Sequence, residues 1–376
     1  MDKIGIYVHV PLCAQKCPYC DFYSVCGKDN LSSSYIDAVL NQLDAFAEIL
    51  GRRAAADTIY FGGGTPSRLE ERDAGRVTDA AARCFNLDPN SEITLELNPE
   101  TSSIAKLKAL KSAGINRLSL GVQSINDKTL GTLGRKHTAA QAVTAIEDAA
   151  GAGFTNISAD IMLALPGENQ RGLEKTLTGL CALPITHMSA YLLKLMDGTP
   201  FGDAPPEGIP SDDEQARLYQ YCCDHLSREG FEQYEISNFA QPGYHSRHNL
   251  KYWNCDEYIG LGPSAHSFIN KKRYSFPPDL DAFLEEFGGA KKRPIDEILT
   301  LEGDDCAEDY IMLRLRTTHG LNLSKLNELY SYELSRAQLD KINMYAEKGL
   351  LTHDGDTVAL TARGMLVSNS IISGII

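Results

Sequence analysis

Strand-like and helix-like stretches alternate through the first half of this chain, and that alternation restricts it to a few folds. IGIYVHV (4–10), TIYFGGG (58–64), ITLELNP (93–99), NRLSLGVQS (116–124), ISADIMLALPG (157–167) and HMSAYLLK (187–194) are β-rich. Helical patterns such as SYIDAVLNQLDAFAEIL, SIAKLKALKSAG and AAQAVTAIEDAAGAG lie between them. Serines 32–34 suit an N-cap, and Gly114, Gly151 or Gly153 suit C-caps. Six βα units predict a parallel sheet, either doubly wound or curled. Cysteines, glycines, Glu96, Gln123 and Asp160 fall at or just past strand C-terminal ends, where barrel active sites lie. The expected fold is therefore α/β, a partial (β/α)6 barrel.

The Gly- and Pro-rich LMDGTPFGDAPPEGIP (195–210) breaks the alternation, and Ser211 with Glu214 then makes a capping-box pattern. HSRHNLKYWN and YIGLGPSAHSF follow, then the basic AKKRP at 290–294. The end reads as helices and then GLLTHDGDTVALTARG, whose Asp-Gly turn suggests the hairpin of a winged helix. We expect a barrel core at 1–210, an extension at 211–294, and a smaller, mostly helical, winged domain at 295–376. A net charge of −14 argues against a nucleic-acid partner and limits membrane association to a peripheral one. No apolar run reaches the ~20 residues of a membrane span, and MDKIGIYVHV has no signal-peptide core, so a cytoplasmic chain is expected. In that reducing setting most of the ten cysteines, including Cys84, Cys181, Cys222 and Cys223, read as small core residues.

Cys13, Cys17 and Cys20 are different: they form C-x3-C-x2-C in the loop after the first strand. Three close thiolates in a cytosolic chain indicate metal. Zinc would take a fourth ligand from Cys26 or His9. An iron–sulfur cube would instead keep one iron open to substrate or cofactor. Gly62, Gly63 and Gly64 either let a ligand approach the backbone or simply make a tight turn. Tyr7 and Tyr19 flank the cysteine loop and suit either a cofactor ring or the core. Glu96 and Asp160 can accept from hydroxyl or ammonium groups, and Gln123 and Arg135 can hold a carboxylate or ribose.

The cysteine loop resembles that of the radical S-adenosylmethionine (SAM) superfamily, in which three cysteines hold a [4Fe–4S] cluster and SAM chelates the remaining iron. YVHVPLCAQKCPYCDF, FGGGTPS, LELNPE, GVQS, LGRKH, DIMLALPG and YIGLGPSAHS follow the order of the oxygen-independent coproporphyrinogen oxidase family. The resemblance implies that Tyr7, Tyr19, Gly63, Gly64, Thr65, Glu96, Gln123, Arg135, Asp160 and Lys194 contact SAM. Two departures count against the oxidase reaction, a radical oxidative decarboxylation. Phe22 stands where the oxidase has a further cysteine, and six residues precede Tyr7 where the oxidase has a long arm. The motif H-N-x-x-Y-W (His248, Asn249, Tyr252, Trp253) resembles the HemW subgroup of haem chaperones. That resemblance implies haem as ligand, with His248 as axial ligand and His245 and His266 as rivals. It also implies haem-requiring respiratory enzymes as acceptors, a bacterioferritin-type haem donor, a homodimer, and a location at the inner face of the membrane. The competing reading is an active oxygen-independent coproporphyrinogen oxidase.

Overall fold

In strand β1 (Ile4–Val10), Ile4, Ile6, Val8 and Val10 are buried on one face, and Gly5, Tyr7 and His9 take the other. The same alternation runs through β2 (Ala55–Gly63), β3 (Asn86–Leu97), β4 (Arg117–Gln123), β5 (Ile157–Leu163) and β6 (His187–Leu192). Their aliphatic residues face helices α1 (Ser32–Leu50), α2 (Glu71–Cys84), α3 (Ile104–Ser112), α4 (Ala139–Gly151) and α5 (Gln170–Cys181) in one continuous core. Their polar residues, among them Thr58, Glu92, Thr94, Arg117, Ser119, Ser158 and His187, face the lumen. Period-2 side-chain alternation thus separates an oily outside from a polar inside. Barrels of eight strands usually fill that inside with branched aliphatic residues; this one does not.

The computed structural model describes residues 3–51, 54–289 and 304–376, with the backbone of 299–300. The six strands are parallel and adjacent in chain order, within a twelve-stranded sheet that stays open. Helix α6 (Asp212–Arg228) opens as Ser211 and Glu214 suggested: the Glu214 carboxylate accepts from the Ser211 N–H at 2.9 Å. Serines 32–34 do not cap α1; they form its first turn, and the Ser34 hydroxyl donates to the Leu31 carbonyl. Gly114 and Gly153 end their helices at φ +96° and +92°.

The stretch after α6 extends the barrel sheet at both edges. Strand β7 (Asn238–Ala240) is antiparallel to β6. Helix α7 (Arg247–Asn254) then leads to β8 (Tyr258–Leu261), a seventh parallel strand on the outer side of β1. β9 (His266–Ile269) and β10 (Lys272–Ser275) continue antiparallel beyond it. The basic run 290–294 and the boundary expected at 294/295 lie outside the described residues. The smaller C-terminal domain packs helices around Ile311, Leu315, Ile342, Val358 and Ile372. Its hairpin of Leu351–Asp354 and Thr357–Leu360 turns at Gly355, φ +58°. It docks on the barrel through the Ile236 N–H on the Arg316 carbonyl (3.0 Å) and the Thr318 N–H on the Tyr234 carbonyl (3.1 Å).

Candidate functional site: a cysteine loop at the barrel mouth

The cysteine loop leaves the C-terminal end of β1 and is pinned to the end of β2. The Gly64 N–H donates to the Val10 carbonyl and the Thr65 N–H to the Leu12 carbonyl, both at 2.8 Å. A Cβ on Gly64 would stand 2.9 Å from each of those carbonyl oxygens and 3.1 Å from Cys13 Sγ. Gly64 is therefore required by the loop that carries the cysteines, before any ligand is considered. Gly63 is glycine for a different reason: φ is +108°, and a Cβ would lie 2.7 Å from the His9 ring.

Cys13, Cys17 and Cys20 are all half-buried. Thr65 Oγ1 lies 3.4 Å from Cys13 Sγ, and the Arg135 guanidinium reaches Cys17 Sγ at 4.0 Å. Burial pushes the Cys20 thiol up, and Cys17 and Cys13 are near enough to add to it. Three such thiolates need a positive centre among them. A cube suits this set, since it takes each thiolate on a different iron. Cys26 is exposed and pairs in register with Cys13 on the short parallel ladder behind the loop.

Glu96 and Gln123 lie at neighbouring strand ends as expected, whereas Asp160 is not at a strand end: it lies midway along β5, inside the lumen. Tyr60 donates to Glu96 Oε1 at 2.9 Å and the Gly63 N–H to Oε2 at 3.2 Å. Burial, reinforced by Asp160, still pushes Glu96 up to about 7. Burial also raises Asp160, although Ser119 (2.7 Å) and Ser158 (3.0 Å) donate to it. Gln123 sits at φ +63°, a left-handed conformation costly for a side chain of its size. Arg135 donates to Asn98 Oδ1 (2.7 Å) and to the Gly121 carbonyl (2.9 Å), and its buried Nε has no partner. Arg135 also lines a cavity together with Gln15, Cys17, Thr65, Asn98 and Glu100. A buried donor without a partner is what an acceptor-rich ligand such as SAM would satisfy. Tyr19 packs near Phe201 and Arg135. Tyr7 lies lower, on the lumen wall, with its hydroxyl 3.1 Å from His9 Nδ1. Lys194 is exposed beyond β6.

Asn98 and His137 were not singled out by sequence. His137 ties the ends of β3 and β4 together, through Glu100 at 3.2 Å and the Val122 carbonyl at 3.1 Å. Its place in LGRKH, two residues after Arg135, was the available signal.

The H-N-x-x-Y-W motif lies at the opposite end of the strands. Helix α7 closes the barrel floor, where the Glu92 carboxylate accepts from the N–H groups of Arg247 (3.1 Å) and His248 (3.0 Å). His248 is fully buried, with Nδ1 2.8 Å from Thr58 Oγ1 and Nε2 2.8 Å from the Tyr252 hydroxyl. Burial lowers its pKa to about 3. The free imidazole expected of an axial ligand is thus absent in this conformation, because both nitrogens are committed. Asn249 and Trp253 are half-buried on the same helix.

Residues 7–179 match the radical SAM superfamily, and residues 301–367 match the HemN C-terminal domain. The chain is 33% identical to the heme chaperone HemW of Bacillus subtilis over 97% of both chains. It is 32% identical to the heme chaperone HemW of Escherichia coli, over 99% of this chain and 98% of that one. A bovine mitochondrial radical S-adenosyl methionine domain-containing protein 1 is 31% identical over 99% of this chain and 87% of its own length. Among solved structures, the coproporphyrinogen III oxidase HemN of Escherichia coli superposes with a TM-score of 0.86 at 20% identity, covering 99% of this chain and 90% of that one. With cysteine loop, strand ends and full-length likeness in agreement, the chain belongs to the HemW family of the radical SAM superfamily.

Proposed function

We propose that this protein is a haem chaperone, binding haem and handing it to haem-requiring proteins, and that it does not turn over coproporphyrinogen. The observation that carries the reading is end-to-end likeness to relatives named as haem chaperones. Phe22 adds to it: the ring stands 62% exposed two residues past Cys20, where the oxidase family carries a further cysteine. Cys13, Cys17 and Cys20 would hold a [4Fe–4S] cluster, and with SAM on the open iron that cluster supplies one-electron reducing chemistry. Tyr7, Tyr19, Gly63, Gly64, Thr65, Glu96, Gln123, Arg135, Asp160 and Lys194 form the SAM set. Within it Arg135 offers its unpartnered Nε and Glu96 a carboxyl that changes charge near neutral pH. Thr65 and Arg135 steady the thiolates. Respiratory enzymes as acceptors, a bacterioferritin-type donor, a cytoplasmic location and a homodimer belong to the same proposal. No helix among the described residues is long and apolar enough to cross a membrane.

Anaerobic reconstitution followed by two assays on one preparation tests this. Haem should bind stoichiometrically, and coproporphyrinogen should persist in the presence of SAM and reductant. Sustained conversion to protoporphyrinogen would replace the chaperone with the enzyme.

A further inference from the structure

We propose that haem binds at the lumen-facing edge of the barrel sheet with the His266 imidazole as axial ligand; the proposal rests on the haem reading above and relocates its site. An iron ligand needs a nitrogen lone pair turned toward open space. His9, His137, His187 and His248 are buried with both ring nitrogens hydrogen-bonded. His225 and His245 keep Nε2 buried. Three exposed histidines remain, of which His319 and His353 lie in the C-terminal domain and His266 on the barrel sheet.

The turn before His266 is built to place it. Gly260 is the register partner of Tyr7, so a side chain there would enter the lumen as the Tyr7 ring does. Such a Cβ would instead stand 2.1 Å from the His266 carbonyl oxygen and 2.8 Å from its carbon. The missing side chain lets the His266 peptide lie against the lumen face of β8. Gly262 turns the chain at φ +97°, where a Cβ would be 2.7 Å from the His9 carbonyl, and Ser264 follows at φ +65°. Backbone geometry this restricted serves position rather than mere connection.

The surroundings suit a flat dicarboxylate. Phe268 and Arg273 are cross-strand partners, as are His266 and Ser275, so all four share one face of β9 and β10. The Arg273 guanidinium lies 4.9 Å over the buried Phe268 ring and pairs with Asp309, so this face carries a cation for a propionate near His266. Haem so placed would adjoin the cysteine loop: His9, which feels His266, is 2.9 Å from the Tyr23 carbonyl, and the Tyr23 hydroxyl accepts from the Leu280 N–H. Release to an acceptor would then leave the barrel floor intact.

The test titrates ferric haem anaerobically into the full, cluster-loaded chain, read as a difference spectrum and by EPR of the haem iron. His266→Ala should weaken binding at least about 10-fold, since losing even a hydrogen-bond partner of a metal ligand costs about 10- to 100-fold, and should remove the imidazole signature. Free imidazole added to His266→Gly should restore the wild-type spectrum, which a folding defect would not allow. His353→Ala is the control and should bind as wild type. Wild-type affinity and spectrum in His266→Ala overturn the site while leaving the haem reading standing. The same holds if the loss appears in His248→Gln instead. Failure of the wild-type chain to bind haem at all overturns both.

Discussion

His248→Gln tests whether the barrel floor is sealed. Glutamine keeps a donor and an acceptor near Thr58 and Tyr252 but cannot titrate. In the wild type burial keeps the folded imidazole neutral down to about 3, against an ordinary value of about 6.5. Below the ordinary value the unfolded chain binds a proton that the folded chain refuses, so acid removes stability through this group. Between about pH 7 and about pH 5 the difference is roughly 1.4 proton-binding decades, or about 2 kcal/mol at 1.36 kcal/mol per decade. Glu96 and Glu235, both pushed up to about 7 by burial, act in the opposite sense over that range, so the wild-type curve alone hides the effect. The difference between wild type and variant isolates it. Trp253, the chain's one tryptophan, sits on the same helix and reports that region's unfolding in urea. Stability relative to His248→Gln should fall by about 2 kcal/mol from pH 7 to pH 5. Parallel curves would refute the sealed floor and return His248 to the candidates for haem iron.

Four further outcomes are expected. Replacing Cys13, Cys17 and Cys20 together by Ala should abolish bound iron, about four atoms per chain in the reconstituted wild type, whereas Cys26→Ala should retain it by iron and sulfide analysis. Gly64→Val should lose cluster and SAM response together, because the clash is with the cysteine loop itself; intact cluster absorbance with only SAM binding lost would contradict that reading. Glu96→Gln should remove the fall in stability that this carboxyl contributes between about pH 4.5 and about pH 7. The raised carboxyl contributes stability present below about pH 4.5 and lost as pH rises through about 7, and equal slopes in the two proteins would show Glu96 to be solvated. Tyr234→Phe removes the hydroxyl 2.8 Å from His187 Nε2 and should cost about 1–3 kcal/mol of unfolding free energy, the usual penalty for an unmet buried acceptor; no measurable change would mean water takes its place.

What could be read from the sequence was local. Cys13, Cys17 and Cys20 declare themselves because their spacing lies within one loop, and Glu96 and Gln123 because polar residues at strand ends break an aliphatic pattern; Asp160, read the same way, lies in mid-strand. The β8 strand was hidden for the opposite reason. YIGL is short, and nothing near it indicates pairing with β1, some 250 residues earlier in the chain. His248 shows the same limit: the motif names an imidazole beside tyrosine and tryptophan, but not the end of the barrel on which its helix docks. Asn98 and His137 act by joining strand ends, a property of the assembled sheet that no window of sequence contains. The serines at 32–34 misled because their hydroxyls can enter a first turn as well as cap it.

The polar lumen carries a hydrogen-bond chain from the barrel floor to mid-strand in a direction that proton counting fixes. With Asp160 ionised, Ser119 and Ser158 each spend their single hydroxyl proton on it. Ser158 must then accept from His187, whose Nδ1 lies 2.7 Å away, so Nδ1 carries the proton. His187 Nε2 is left as an acceptor and takes the Tyr234 hydroxyl proton at 2.8 Å. Tyr234 in turn accepts from the N–H of Ser246, the residue that caps α7, at 3.3 Å. Every donor from the floor helix to Asp160 therefore points the same way, and burial, aided by Arg117, keeps His187 neutral as this requires. An aliphatic interior would pack the barrel equally well but could not orient the Asp160 carboxylate, midway along β5, from a helix at its floor.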